Sequence, residues 1–303
     1  MATTLKNTQT NYAPSKWETV PCPFCKTTGS KEFEKFGPNN SFKYVECSNC
    51  GLVYLNPRPI YDEKFVNIAY EDYDVDSHFF KSGGKVSEEE LELVDQHNLI
   101  LAQIEKALGR KKGKLLEIGC MTGLFLKTAK ERGWDVVGID ISKKMVDHIN
   151  NNLKIKGYCD QYQNVKFPAH EFDVIYCSHV IEHIPNPNEW MEKFRKDMKQ
   201  DGLLCINVPN QNSIDRVLKR FVVKNIVDKR KWEGWRTPDH LFEPTARPMK
   251  YILKEHNFNV IDHFTYSRHE AKRSSFLSRL FHNKLRLGSK LRFFARPFRG
   301  ENK

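Results

Sequence analysis

The 303-residue sequence predicts an α/β fold: a doubly wound, mostly parallel sheet with a small metal-dependent module at its N-terminal end. Three observations predict it. Short apolar runs alternate with amphipathic stretches between residues 114 and 209. Two Cys-x-x-Cys pairs stand with 21 residues between them. A glycine-bearing bend follows directly on the first apolar run of the alternating region.

Composition sets the outer bounds. With 39% hydrophobic and 29% charged residues the chain has the mixture of a soluble globular protein, long enough to bury a core without disulfides. No apolar run approaches the ~20 residues that cross a bilayer. The opening MATTLKNTQTNY lacks the apolar centre of a secretion signal, so a cytoplasmic location is expected. The net charge of +11 is uneven: residues 267–303 hold eleven Lys or Arg against two Glu, so +9 of it sits in the last 37 residues. That asymmetry argues against nucleic-acid binding by the body of the protein.

Residues 1–20 are polar and read as a flexible start. The first module, residues 21–59, holds Cys22-Pro-Phe-Cys25 and Cys47-Ser-Asn-Cys50. Each Cys-x-x-Cys folds as a knuckle aiming two sulfurs at one point, and four thiolates make a closed tetrahedral site, which suits structural Zn2+. The intervening KEFEKFGPNNSFKYVE predicts two strands around a Gly-Pro-Asn-Asn turn, which makes the module a zinc ribbon. Residues 60–86 are acidic and aromatic, a linker or cap ending in Ser82-Gly83-Gly84. From Ser87, with Glu90 three residues on, a capping box opens a helix whose apolar residues recur at helical spacing.

The alternating region follows. KLLEIG, DVVGID, FDVIYCS and GLLCINVP read as buried strands; GLFLKTAKERG, SKKMVDHINNN and NPNEWMEKFRKDM read as helices. The first strand ends in Glu117 and runs into Ile118-Gly119-Cys120-Met121-Thr122-Gly123; the second ends in Asp140, 23 residues after Glu117. A glycine bend after strand one and an acid after strand two mark a nucleoside crevice, the acid accepting from ribose hydroxyls. Met121 and Leu124 stand where a dinucleotide fingerprint needs glycine, and no Walker motif is present. A nucleoside without phosphates suits this bend.

These residues resemble motif I of the class I S-adenosylmethionine-dependent methyltransferases, and further matches follow in order. VVGIDIS is similar to the ribose-binding strand. Cys159-Asp160-Gln161 stands where the family places its adenine-contacting acid. FDVIYCSHVIEHIPNP is similar to the segment after strand four in small-molecule O-methyltransferases, including those of ubiquinone synthesis. DGLLCINVPN and HLFEPTARPMKYILKEHNFNVID resemble the strand-five region and the last helix and strand. The resemblance spans residues 88–266 and implies a seven-stranded Rossmann-like methyltransferase sheet over a domain of residues 87–266. It implies S-adenosyl-L-methionine as cofactor, held by Glu117, Gly119, Cys120, Gly123, Asp140, Ile141, Asp160, Gln161 and Ser178. Met121 departs from the family's central glycine; its side chain is expected to point away from the ligand.

Methyl transfer to a hydroxyl needs a base, and histidine suits neutral pH. His179 follows the fourth strand, His183 lies a turn on, and His240 precedes the last helix. The resemblance puts His183 and His240 first for acceptor-side roles. Between strand five and His240 an insertion carries Trp232, Trp235 and Arg236, which suit either a sugar or anionic acceptor or packing on the sheet. In the tail, residues 267–303, Phe276, Leu277, Leu280, Phe281 and Leu285 line one helix face opposite Arg279 and Lys284. Three readings stay open for it: a docking helix, peripheral contact with an anionic membrane, and contact with nucleic acid. The expected activity is methyl transfer to a small molecule or a glycan, at oxygen, in glycan or specialised-metabolite synthesis. The rivals are an RNA methyltransferase and a non-catalytic binding protein that has lost the cofactor site.

Overall fold

The computed structural model describes residues 16–36, 41–60, 88–110, 112–218, 240–267 and 288–298. Two sheets organise them. The larger has seven strands: β6 (Lys114–Ile118), β7 (Asp135–Asp140), β8 (Lys156–Cys159), β9 (Phe172–Ser178), β10 (Met198–Pro209), β12 (Phe258–Tyr266) and β13 (Lys290–Pro297). Their order is β12-β13-β10-β9-β6-β7-β8. The five strands β6 to β10 pair in parallel, and β13 runs antiparallel between β10 and β12. The chain therefore reverses its direction of winding between β6 and β9, where carboxyl ends of neighbouring strands diverge and leave a crevice.

Helices cover both faces, as the apolar-through strands require. They are α1 (Glu88–Leu108), α2 (Leu124–Glu131), α3 (Lys143–Asn151), α4 (Pro187–Asp197) and α5 (Ala246–Glu255). One face packs Leu101, Ile104 and Leu108 of α1 and Phe125 and Leu126 of α2 on Leu115, Val136, Val174 and Cys205. The other packs Trp190, Met191 and Phe194 of α4 and Met249, Ile252 and Leu253 of α5 on Leu116, Val137, Ile175 and Ile206. Asp173 pins β9 from below: it accepts from Lys114 N at 2.7 Å and from Lys199 Nζ at 2.9 Å, and Arg110 also binds it.

Two strands differ from the sequence reading. β8 is KGYC, partly exposed and too polar to show as an apolar run. β13 lies in the segment expected to be a basic tail. Its LRFFA core is buried because Arg292, only 1% exposed, stacks on Tyr266 at 4.4 Å from the ring centroid and donates to Asn207 Oδ1 at 2.9 Å. Arg296 donates to the carbonyls of Ala107 and Leu108, closing the C-terminal end of α1. Residues 290–297 are thus a strand of the sheet, and two of the tail's cations work internally. The helix face around Phe276, the insertion with Trp232, Trp235 and Arg236, and residues 61–87 lie outside the described residues.

The smaller sheet starts as the expected ribbon. β2 (Ser30–Phe36) and β3 (Phe42–Cys47) pair antiparallel, and β4 (Val53–Leu55) adds to β3. A two-residue ladder joins β1 (Trp17–Glu18) to β5 (Arg58–Pro59). The fourth strand of the ribbon sheet, β11 (Phe242–Glu243), arrives from the far side of the sequence and pairs with β4. Phe24 packs edge-on against Phe242 at 5.0 Å, and the ribbon's Val45, Leu52 and Tyr54 belong to the same core as the large sheet. The sheet crosses the boundary expected at residue 59. Among the described residues no helix is long and apolar enough to cross a membrane.

Candidate active site

Four thiols meet in the ribbon. Cys22, Cys25, Cys47 and Cys50 place all their sulfurs within 4.8 Å of one another, with Cys22–Cys50 at 3.5 Å and Cys25–Cys47 at 3.4 Å. Bond lengths of about 2.3 Å in a tetrahedron require edges of roughly 3.8 Å, so the spacing is that of a closed thiolate site. The two knuckles share one backbone pattern. The first cysteine's N–H donates to the carbonyl five residues on (Thr27, Leu52), and its carbonyl accepts from the residue four on (Lys26, Gly51). That fourth residue takes a left-handed φ of 59° at Lys26 and 78° at Gly51.

The crevice of the large sheet divides into two halves. On one side the bend after β6 is held by Gly119 N–H and Cys120 N–H on the carbonyl of Ile139, at 2.8 and 3.1 Å. Gly119 has φ 73°, and a Cβ there would meet Val180 Cγ2 at 2.4 Å; at Gly123, also φ 73°, a Cβ would meet Ile149 at 2.8 Å. Both positions therefore need glycine for backbone and for space. Met121 adopts φ 45° and is 40% exposed, while its N–H donates to Asp140 Oδ2 at 2.8 Å. Asp140 Oδ1 accepts from Ser142 N at 2.9 Å. Each carboxylate oxygen keeps a further lone pair for a ligand hydroxyl.

Glu117 is the unusual group here. It is buried at the end of β6, and its Oε2 has no hydrogen-bond partner. Burial first, and the nearby Asp140 second, push its carboxyl well above the usual range. Gly123 gives α2 no side-chain cap, so the first N–H groups of that helix face the bend without one. The Cys120 side chain turns into the core beneath Gly138. Ile141 follows directly on Asp140. Asp160 stands at the end of β8, tied to Gln161 N at 2.7 Å and Asn164 Nδ2 at 2.8 Å, and Gln161 bonds Gln163.

On the other side stand the three histidines. His179 follows β9 with φ 56°, its N–H held by the Asn207 carbonyl at 3.0 Å. Its Nδ1 lies 3.2 Å from Glu182 Oε1, and its Nε2 is buried without a partner. Burial pushes His179 down, against the pull of Glu182, so the ring is neutral at physiological pH with Nδ1–H on the carboxylate and Nε2 as acceptor. Glu182 is fully buried; burial alone would raise its carboxyl, but His179, His183 and His240 outweigh that and hold it low. His183 and His240 meet edge-on, ring centroids 4.7 Å apart. His240 Nδ1 lies 2.8 Å from Glu243 Oε1, and Arg216 binds the same carboxylate.

Beside His179 a cleft of about 180 Å³ opens at the carboxyl ends of β9 and β10, lined by Ser178, Asn207, Tyr266 and Arg292 and walled by α1. Asn207 Nδ2 donates to Tyr176 Oη at 2.9 Å and to Ser178 Oγ at 3.0 Å. Ser178 thus sits on the cleft side of the crevice. Sequence reasoning missed Glu243, Asn207 and Arg292. One signal was available: His-x-x-Glu occurs twice, at 179–182 and 240–243, and both pairs bond as i,i+3 neighbours.

The comparisons with known proteins agree with this architecture. A family model described as methyltransferase domain matches residues 93–263. The chain belongs to the methyltransferase domain family. Among curated proteins it is 28% identical over 163 residues to the ubiquinone biosynthesis O-methyltransferase of Azoarcus sp. (strain BH72), covering 52% of this chain and 65% of that one. It is 28% identical over 117 residues to the protein of the same name from Coxiella burnetii (strain Dugway 5J108-111), covering 37% and 50%. The chain thus spans less than two thirds of these relatives. Among solved structures, the Burkholderia thailandensis 1,6-didemethyltoxoflavin-N1-methyltransferase superposes with TM-score 0.53 at 14% identity, over 84% of this chain and 96% of that one. A putative S-adenosylmethionine dependent methyltransferase from Listeria monocytogenes gives 0.51 at 14%, over 70% and 100%. At that identity the likeness is one of fold.

Proposed function

We propose that the chain transfers the methyl group of S-adenosyl-L-methionine to a hydroxyl of a small-molecule acceptor. The observation that carries this reading is His179, its Nε2 without a hydrogen-bond partner, lining a cleft at the carboxyl ends of β9 and β10 in the same sheet whose β6 and β7 carry the acid-lined glycine bend. The bend fits the cofactor. Asp140 keeps lone pairs for the ribose, Glu117 Oε2 awaits a donor such as an ammonium, and the uncapped start of α2 suits a carboxylate. Gly119, Cys120 and Gly123 shape the bend, Ile141, Asp160 and Gln161 border the adenine side, and Ser178 stands near the methyl.

Bound there, the cofactor supplies a methyl already activated as a sulfonium. His179 Nε2 takes the acceptor proton as the O–CH3 bond forms and the S–CH3 bond breaks, and the positive charge passes from sulfur to the imidazole. Glu182 holds the ring in the required tautomer and stabilises that charge. In this reading the acceptor, a sugar or another small metabolite, enters the cleft beside His179. The names of the curated relatives favour oxygen as the atom methylated.

In the same reading Cys22, Cys25, Cys47 and Cys50 hold a structural zinc, because four soft thiolates leave no open position. With Arg292 and Arg296 engaged internally, any contact with an anionic membrane falls to the other cations of residues 267–303, and the argument for nucleic acid weakens. The test is incubation of the full chain with methyl-labelled cofactor and a panel of monocyclic phenols and sugars. Label transfer to a hydroxyl is expected. S-adenosylhomocysteine uptake with no transfer to oxygen, or no uptake at all, would overturn the reading.

A further inference from the structure

Three neighbouring strands bring polar side chains into one row at the wall of the cleft beside His179. Asn207 of β10 stands in register with Ser178 of β9 on one side and with Arg292 of β13 on the other. Tyr176, two residues before Ser178, shares its face of the sheet. Tyr176, Ser178, Asn207, Arg292 and His179 all line the cleft. We propose that the hydroxyls of Tyr176 and Ser178, turned by Asn207, form a hydrogen-bond donor site for an oxygen of the methyl acceptor that carries no hydrogen, a carbonyl or a carboxylate present in addition to the hydroxyl that is methylated. The proposal rests on the methyl-transfer reading for the fate of that ligand, not for the existence of the donor site.

The direction of the bonds follows from a count of hydrogens. Arg292 Nε can only donate, so the Asn207 side-chain atom 2.9 Å from it is the oxygen. Asn207 Nδ2 therefore faces the other way, and both its hydrogens are used, one on Tyr176 Oη at 2.9 Å and one on Ser178 Oγ at 3.0 Å. Each hydroxyl accepts from Asn207 and keeps its own hydrogen to give. The pair can settle at most one of these two hydrogens between themselves. Among the described residues no carbonyl or carboxylate takes the other. At least one O–H is thus left for the cleft. Burial pushes the Tyr176 phenol well above its usual range, so it holds its proton at physiological pH.

The opposite hydrogen-bonding sense stands beside it. His179 Nε2 is buried without a partner and accepts. Asn207 fixes both: its carbonyl holds the His179 N–H at 3.0 Å while its amide turns the two hydroxyls. A ligand that suits this wall gives one hydrogen to His179 and takes one from the hydroxyl pair. A molecule with a hydroxyl and a carbonyl or carboxylate oxygen does both; a lone hydroxyl leaves one buried group unmet, which is costly. On α1, His97 Nδ1 is also buried with no partner at the same cleft. Burial pushes that ring down to about 4, so it is neutral and meets a further polar group of the ligand.

The probes are phenol, 3-hydroxyacetophenone and 3-hydroxybenzoate, titrated calorimetrically into the full chain with and without S-adenosylhomocysteine. Phenol presents the hydroxyl alone; the other two add a carbonyl or a carboxylate oxygen that cannot bond the hydroxyl of its own ring. Both are expected to bind about tenfold more tightly than phenol. In Asn207→Asp the new carboxylate only accepts and draws both hydroxyl hydrogens to itself, so the preference for the ketone should fall to about twofold or less. The ketone is the decisive probe there, because the added charge also repels the acid. Tyr176→Phe combined with Ser178→Ala removes the donor without adding charge and should abolish the same preference, whereas Ser178→Thr should keep it. Equal affinity for the three probes, or binding of none at about 10 mM, in protein that takes up S-adenosylhomocysteine overturns the donor site and leaves methyl transfer standing. A preference that survives both Asn207→Asp and the double variant overturns the assignment to these residues. Weaker S-adenosylhomocysteine binding in the variants with the preference intact gives the hydroxyls to the cofactor and overturns the proposal. A preference lost in the variants, in protein that takes up no S-adenosylhomocysteine, supports the donor site and overturns methyl transfer.

Discussion

The two halves of the crevice are built by different means. The half proposed for the cofactor comes from one continuous stretch: β6, its bend and β7 bring Glu117, Gly119, Gly123 and Asp140 together within 24 residues. The half proposed for the acceptor is assembled from afar. His179 and Glu182 follow β9, His240 and Glu243 come some 60 residues later, and both are braced by the ribbon through Tyr44 and β4. A site half made of one local unit survives damage elsewhere; a half made of three depends on every seam between them.

Loss of the zinc proposed for the ribbon is expected to break the comparison most severely. Cys47→Ser, or chelation of the four-thiol site, removes most of what folds a module this small. The pairing of β4 with β11 then fails and His240 shifts. Methyl transfer is expected to fall about 100-fold or more, because even 1 Å of misplacement costs that much. S-adenosylhomocysteine affinity, by calorimetry, is expected to change by no more than about twofold. A matching loss of both would show that the halves are one unit.

Next in size is Glu117→Gln. The wild-type carboxyl is raised in the folded state by burial and by Asp140. Its contribution is therefore fully present below the unfolded value near 4.5 and is lost as pH rises through the folded value. Chemical denaturation should show ligand-free wild-type stability declining above that pH, and the variant should lack this decline. At pH 7 the variant should be more stable by about 1–3 kcal/mol, since the neutral amide neither buries a charge nor has to take up a proton on folding. Its affinity for S-adenosylhomocysteine should nevertheless drop about tenfold. Stability and binding moving in opposite directions is the mark of a group kept for a ligand.

What the sequence made legible follows the same division. The bend, Asp140 and the four cysteines are local patterns with fixed spacing, and each is where spacing places it. β8 was not legible, because Lys156-Gly157-Tyr158-Cys159 is an edge strand without an apolar run. β13 was hidden by its charges: Arg292 and Arg296 look like surface residues until Tyr266, Asn207 and the end of α1 are seen to absorb them. β11 is two residues long and exists only because β4 offers an edge. The pairing of His179 with Glu182, and of His240 with Glu243, was available as a repeated His-x-x-Glu, but nothing local tells that both pairs face one point.

The smallest effect is expected at Met121→Gly. Relief of a left-handed backbone of about 1–2 kcal/mol is offset by the greater freedom of glycine in the unfolded chain. The melting midpoint should move by an amount worth no more than about 1 kcal/mol, and cofactor affinity should hold, because Met121 meets Asp140 through its backbone N–H, which glycine keeps. A large gain in affinity would show that the side chain obstructs the bend.

Calorimetric titration of S-adenosylhomocysteine into wild type, Asp140→Asn and His179→Gln tests the division most directly. One equivalent should bind to wild type, about ten- to a hundredfold more weakly to Asp140→Asn, and unchanged to His179→Gln. No uptake by wild type, or equal weakening in both variants, would contradict a crevice with separate cofactor and acceptor halves.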